Sequence, residues 1–306
     1  MDRISLKLFL SGILAAILLL PGCATVYNPA TEQRELIFVT TPVEVSLGNV
    51  LAARVSKDYK ISKDPSQNNR VKDIGAKIAA VSDRKDLKYQ FFVIEDEALN
   101  AFTTPGGYVY INSGLLDKSS DDELACVIGH EIGHIAARHV AKKLQSQIGY
   151  DILMNIAVSR TGAGAELQKA ASITYNLISL GYSRSDELTA DRLGVKYAYK
   201  AGYDPNAMIS FLKKIQDMKE EQMGFVFLRS HPYTSDRIKK LQQQMPGIIE
   251  KVNKQTSSIA TKENITTGSA PVVTEEKRPL KVMCPVCRRI YSGTTGYCPY
   301  DGTELK

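Results

Sequence analysis

The chain has 306 residues, of which 43% are hydrophobic, 24% charged and 8% aromatic. That composition excludes a disordered, collagen-like or polytopic membrane protein and leaves length for one sizeable domain plus smaller modules. With 39 basic and 33 acidic residues the net charge is +6, a mixed surface that argues for no nucleic-acid partner. The histidines are more telling. There are four, and three of them (His130, His134 and His139) fall within ten residues. Five cysteines are too few and too unevenly placed for a disulfide scaffold.

Residues 1–22 are expected to be a targeting segment. Arg3 and Lys7 precede an apolar run from Leu8 to Leu20, broken by Ser11 and Gly12. A spanning helix needs roughly 20 apolar residues, so this run fits the h-region of a signal peptide. It ends Leu20-Pro21-Gly22-Cys23, which resembles a bacterial lipobox, in which the cysteine is lipidated and begins the mature chain. Plain secretion with an incidental cysteine competes with this. A cysteine directly after a small residue at the end of the run favours lipidation. Ala24 rather than aspartate follows the cysteine, which by resemblance to known lipoproteins favours the outer membrane. The expectation is a bacterial envelope protein, lipid-anchored at Cys23 and facing the periplasm, rather than one that spans the bilayer.

Residues 23–45 carry few regular signals and lead into the first domain. Helical spacing appears over 47–60 and 68–83, with Val71, Ile74, Ile78 and Val81 on one face. Tyr89 to Ile94 is strand-like. Ala98 to Thr103 and Tyr108 to Ile111 flank Pro105-Gly106-Gly107, which predicts a β-hairpin. Ser120 and Glu123 fit a capping box, with Asp121 and Asp122 at the positive end of the dipole. That helix is expected to run to about Lys143. Thr161 to Gly164 marks a break. One long helix is predicted from about 170 to 200, stopped by Gly202-Tyr203-Asp204-Pro205, with shorter ones over 206–221 and 235–244. From 246 to 280 the composition is that of a flexible linker. Residues 281–306 form a separate module.

The chemistry centres on His130-Glu131-Ile132-Gly133-His134, an H-E-x-x-H inside a predicted helix. Spacing i, i+4 turns about 400°, so both imidazoles leave one face and can share one metal ion. Glu131 lies about 100° round from His130 and can serve as general base toward a metal-activated water. Two incidental histidines on a helix are the bland alternative; the cap, the apolar flanks and the scarcity of histidine elsewhere weigh against it. A catalytic zinc needs a third protein ligand. Glu187 and Asp191 are again i, i+4, so Glu187 can ligate while Asp191 accepts the other ring N–H of a ligand histidine. A solvated acidic face would be the ordinary reading of that pair without the histidine motif. His139, nine residues after His130, points about 180° away on a regular helix and is read as structural. Cys126, one turn before His130, is read as an inert core thiol.

At this point the chain resembles the HtpX and CAAX-prenyl-protease type of zinc metallopeptidases. The resemblance rests on His130 to His134, Arg138-His139, Ser183-Arg184 with Glu187, Ala190 and Asp191, and Ser230-His231-Pro232 with Arg237. Asn100-Ala101-Phe102, Pro105-Gly106-Gly107 and Asn112-Ser113-Gly114-Leu115-Leu116 also fit it. It covers about residues 45–245, and with the lipoprotein signal it points to the periplasmic branch of assembly-enhancing proteases. The tail departs from that branch, having no helical-repeat domain. The resemblance implies an α+β, mostly helical domain over 46–245, with a small β-sheet beside the active-site helix. It implies that His231 donates to the tetrahedral oxyanion or ligates the metal's open position and closes the enzyme. Arg237 shares the oxyanion role or orients the loop. It also favours Tyr108, Val109, Tyr110, Ile111 and Asn112 as a sheet edge that pairs with substrate, against the alternative of an interior strand.

In the tail, Cys284-Pro285-Val286-Cys287 and Cys298-Pro299-Tyr300-Asp301 are separated by ten residues, the pattern of a zinc ribbon with a carboxylate in the fourth place. A disulfide among Cys284, Cys287 and Cys298 is the competing reading in an oxidising compartment. A segment this short needs a staple to fold, which favours a second, structural zinc and a module that contacts a protein partner. The expected activity is a zinc-dependent endopeptidase acting on unfolded or misassembled envelope polypeptides. The competing class is a lipid-anchored, non-proteolytic adaptor with a structural metal core. Glu131 argues against that class, because a purely structural site has no use for a base.

Overall fold

The computed structural model describes residues 25–148, 164–218, 229–232, 234–265, 281–283 and 290–292. Residues 1–24 with Cys23, and the tail residues Cys284, Cys287, Cys298 and Asp301, lie outside them. The chain divides into two compact units. The smaller opens with an antiparallel pair, β1 (Thr25–Asn28) and β2 (Gln33–Leu36).

The larger unit begins with α1 (Thr41–Asp58) and α2 (Pro65–Val81). Asp64 caps α2, accepting from Ser66 N at 2.8 Å, and Pro65 occupies the first turn, where no N–H is missed. Val71, Ile74 and Ile78 are buried on one face of α2, as their spacing predicts. Then come β3 (Gln90–Ile94), β4 (Ala101–Thr104) and β5 (Tyr108–Asn112), in the order β3-β5-β4. β5 runs parallel to β3 and antiparallel to β4. The β4–β5 turn holds Gly106 and Gly107 at φ +84° and +98°, a region costly for any residue with a Cβ.

The expected edge strand is therefore corrected. Tyr108 to Asn112 forms the middle of the sheet, paired on both sides, and all five residues are buried. Val109 and Ile111 join the main core, while Tyr108 and Tyr110 pack with Val55 of α1 on the other face. A strand covered on both faces has no need of polar alternation, and Tyr-Val-Tyr-Ile has none. The edges of this sheet are β3, which Ile61 bridges at Ile94, and β4, which among the described residues pairs with no strand on its outer side.

Next are α3 (Ser113–Asp117) and α4 (Asp121–Ala136). The Ser120–Glu123 capping box forms at the start of α4. The helix does not continue to Lys143. It breaks at Arg138, whose φ is +57°, and restarts as α5 (His139–Gln147). The Arg138 guanidinium is buried and donates to Val39 O at 3.3 Å and Thr41 Oγ1 at 3.0 Å, anchoring the break to the entry of α1.

The long helix expected over 170–200 is two helices, α6 (Gly164–Ser179) and α7 (Arg184–Lys200). Gly181 at φ +74° ends one, and Ser183 with Asp186 caps the other. After α8 (Ala207–Asp217), α9 (Thr234–Ile265) runs on through Pro246, where linker composition was expected to begin. Met245 and Val252 are buried, and Ile248 and Ile249 pack against the core. These four stand at i, i+3, i+4 and i+7, an apolar stripe that outweighs one lost backbone hydrogen bond. Among the described residues no helix is long and apolar enough to cross a membrane. In the smaller unit, β6 (Lys281–Met283) pairs antiparallel with β7 (Ile290–Ser292).

Candidate metal centre

The site exists because α4 and α7 come unusually close. Gly129 and Gly133 on α4, one turn apart, meet Ala190 and Gly194 on α7, also one turn apart. A Cβ on Gly129 would lie 2.7 Å from Gly194 O, and one on Gly133 would lie 2.9 Å from Ala190 O. With no side chains between them, the backbones touch. The histidines beside the α4 glycines then face Glu187 and Asp191 on α7.

His130 Nε2 and His134 Nε2 are 3.0 Å apart. Glu187 Oε1 is 3.4 Å from His134 Nε2, and Oε2 is 3.6 Å from His130 Nε2. His231 Nδ1 lies 3.2 Å from His130 Nε2 and 3.1 Å from Glu187 Oε1. One donor atom from each of His130, His134, Glu187 and His231 lies within 4.8 Å of the others, and all four residues are buried.

This donor set fits a divalent metal. His130 Nδ1 is 2.8 Å from Asp191 Oδ1, and an ionised carboxylate only accepts, so Nδ1 carries the proton and Nε2 presents a lone pair. His134 engages His139 through Nδ1 at 2.8 Å, which leaves its Nε2 for the same purpose. Burial holds His134 well below its ordinary pKa, in its neutral form. Glu187 would be raised by burial, but Arg237 and His231 hold it well below the usual carboxylate range. Two imine lone pairs and a carboxylate converging on one point are the ligand types of zinc.

Glu131 is fully buried. Neither carboxylate oxygen makes a hydrogen bond among the described residues, and Oε1 is 3.4 Å from His231 Nε2. Burial pushes this carboxyl up, against the pull of His231 and His130. Burial disfavours the His231 cation, yet Glu187 and Glu131 outweigh it and raise the pKa. Arg237 is also fully buried. It donates to Asp191 Oδ2 from Nε at 2.8 Å, to Asp191 Oδ1 from Nη2 at 2.6 Å, and to His231 O from Nη1 at 3.3 Å. Nη1 is also 2.8 Å from Glu187 Oε2, an ion pair without hydrogen-bond alignment. With its guanidinium spent on these groups, Arg237 has the contacts of a residue that orients ligands and loop. Its expected share in the oxyanion role has no such support. Cys126 turns away, with Sγ 3.6 Å from Asp204 O, and burial pushes its thiol up.

Two residues of the site escape the sequence reading. His139 was expected to point away, yet the break at Arg138 returns it to His134. Tyr182 stacks on the His134 ring at 3.6 Å between centroids, with its hydroxyl buried and without a hydrogen bond among the described residues. Gly181 before it and Ser183 after it were the available signals, since a helix stop followed by a helix start forces a turn beside Glu187.

A helix-borne histidine pair with an adjacent glutamate, completed by a carboxylate from a second helix, defines a metallopeptidase type of centre. The chain belongs to peptidase family M48, which residues 65–245 match. It is 30% identical over 230 residues to mitochondrial metalloendopeptidase OMA1 of Schizosaccharomyces pombe, covering 72% of this chain and 66% of that protein. It is 26% identical over 223 residues to the beta-barrel assembly-enhancing protease of Escherichia coli strain K12, covering 68% of this chain and 45% of that protein. The chain thus spans about half to two thirds of the length of these relatives. The crystal structure of S. mikatae Ste24p aligns with 65% of this chain and 55% of that chain, at 19% identity and a TM-score of 0.36, a likeness too slight to carry an argument.

Proposed function

We propose that this chain is a zinc-dependent endopeptidase of the bacterial envelope, acting on unfolded or misassembled polypeptides. The observation that carries this is Glu131, a buried carboxylate with no hydrogen bond among the described residues, beside the converged His130–His134–Glu187 set. A structural metal site would satisfy or omit such a group. Zinc bound by His130, His134 and Glu187 would polarise the scissile carbonyl and acidify the attacking water. Glu131 would take the proton from that water and hand it to the leaving amine. Asp191 fixes the His130 tautomer, and Arg237 pins Asp191, Glu187 and the His231 carbonyl in one network.

The substrate is proposed to bind along β4. Asn112 N donates to Asn100 O at 2.9 Å, so Asn100, Phe102 and Thr104 pair toward β5 while the backbone groups of Ala101 and Thr103 face the other way. An extended peptide pairing there is held by its main chain, which accommodates many sequences. A cleft lined by Tyr59, Asn100, Phe102, Thr104, Tyr175 and Ser230 would receive its side chains. Peptides N-methylated at alternate amides test this. One of the two methylation registers is expected to raise KM at least about tenfold, the loss of roughly one to two main-chain hydrogen bonds. Equal KM in both registers would exclude strand pairing.

His231 takes the fourth donor position, and we infer that this arrangement is a closed form of the enzyme. Purified full-length protein is expected to cleave casein slowly, to lose the activity to a chelator and to regain it with zinc. His231→Ala should cleave faster and cut itself. A fall in its rate would assign His231 to the oxyanion instead, and an unchanged rate would reject both roles. Casein cleavage that survives complete metal removal would sink the endopeptidase reading.

Lipidation at Cys23 and residence at the outer membrane rest on the lipobox and on the name of the E. coli relative. A second zinc at Cys284, Cys287, Cys298 and Asp301, in a module that contacts a protein partner, rests on ligand spacing alone.

A further inference from the structure

We propose that His139 is a positioning residue of the metal centre, accepting the Nδ1 proton of His134 and linking that ligand to the capped start of α7. On an unbroken helix this contact could not form. The left-handed Arg138 swings His139 back, so that its buried ring meets His134 edge to face, with centroids 4.9 Å apart at 72°. The two Nδ1 atoms are 2.8 Å apart, so one of them must carry the proton and the other a lone pair. With a metal held by His130, His134 and Glu187, the His134 Nε2 lone pair would belong to that metal, which puts the His134 proton on Nδ1. His139 therefore accepts at Nδ1, and its proton falls on Nε2, which faces Asp186 Oδ1 at 3.5 Å. With His139 neutral and the His134 Nε2 lone pair given to the metal, this assignment alone serves all three contacts.

Asp186 closes the chain of contacts. Its Oδ2 takes the Ser183 hydroxyl at 2.7 Å and faces the Ser183 N–H at 3.2 Å, forming the capping box of α7, and Glu187 is the next residue. Lys143, one turn after His139, donates to Gly181 O in the turn that leads into that cap. The orientation of His134 is thus tied to the element that supplies the third ligand, as His130 is tied to Asp191 one turn further along α7. The two arms differ in charge. Asp191 adds a negative charge behind His130, whereas His139 is a neutral imidazole that supplies direction without altering the charge of the site.

The inference rests on the metal-site reading, and the experiment separates the two. Full-length protein is used with Cys284, Cys287 and Cys298 replaced by serine in every sample, so that only the core titrates. Zinc affinity is measured by competition with a chromophoric chelator. His139→Leu is expected to weaken zinc by about 10- to 100-fold, the usual cost of removing a ligand's outer partner. His139→Asn places Oδ1 where Nδ1 was and should remain within about threefold of the parent, because one acceptor replaces another. Thermal melting of the metal-free proteins shows whether the fold itself is altered. Parent-like affinity in His139→Leu, or equal weakening by leucine and asparagine, would overturn the proposal. Should the leucine variant not fold, the cobalt-loaded asparagine variant decides: visible bands matching the parent uphold the acceptor role, and shifted bands overturn it. A parent that binds no zinc in the core would instead remove the metal reading, and the inference with it.

Discussion

Glu131→Gln is expected to reduce peptide hydrolysis to background, a loss of at least about 10³-fold in kcat, near the upper range for removing a general base. The bound zinc should remain. Glutamine keeps the shape of the side chain, so the packing of α4 against α7 is undisturbed, and His130, His134 and Glu187 stay where they are. Only the ability to take and return a proton disappears. Stability gives a second readout. Glu131 is a fully buried carboxylate with no hydrogen bond among the described residues, and burial pushes its pKa up. A group with a raised carboxyl pKa costs stability once pH passes its unfolded value, because the folded state must then hold an unwelcome charge or an extra proton. Removing it should leave the metal-free protein at least as stable at neutral pH. The measurements are single-peptide kinetics, zinc content and melting temperature on matched samples. A zinc-loaded variant that keeps more than about a tenth of the activity would sink the mechanism, since that loss is below what a general base contributes.

How far the sequence disclosed this site depends on which contacts are local. His130, Glu131 and His134 are legible because i, i+4 on a capped helix places them without any tertiary knowledge. Glu187 and Asp191 are legible for the same reason, once a partner for the histidines is required. The Gly129–Gly133 and Ala190–Gly194 stripes that join the two helices were in plain view, but glycines in a helix have no face until the opposing helix is known. His139 is not legible, because a regular helix carried across Arg138 turns it away, whereas a buried guanidinium reaching Val39 and Thr41 holds the chain there in a left-handed turn. That contact spans about a hundred residues of sequence and leaves no local trace. The strand order fails in the same way: a hairpin shows which strands adjoin, not that β3 pairs on the far side of β5. Gly181 and Ser183 were different, being a readable stop and start that the apolar run over 170–200 concealed. Pro246 misled in the other direction, since a single proline outranked the Met245, Ile248, Ile249 and Val252 stripe in the reading and not in the fold.

Gly194→Val should weaken zinc binding at least about 100-fold, although residue 194 touches no ligating atom. A Cβ at 194 would stand 2.7 Å from His130 N, 3.0 Å from His130 Cα and 3.1 Å from Gly129 C. All three are backbone atoms of a helix packed in the core, so no side chain can swing aside. Either α7 moves away from α4 or the valine forces strain into both, and overpacking of this kind costs about 1–3 kcal/mol. The metal tolerates less than the fold does. Glu187 lies two turns before Gly194 on α7, and ligand distances must hold within about 0.2 Å for zinc to bind well. Any separation that relieves the clash therefore exceeds what the ligand set accepts. The expected result is a folded protein whose melting temperature falls by about 2–4 °C per kcal/mol of strain, and whose zinc affinity falls at least about 100-fold. Gly194→Ala should fall between, because it brings the clash without the branch. Gly247→Val is the control: a Cβ there meets nothing within 4 Å, so neither metal binding nor activity should change beyond the small helix-propensity effect. Zinc affinity and catalysis at parent levels in Gly194→Val would mean that the close approach of the two helices is not what assembles the ligands.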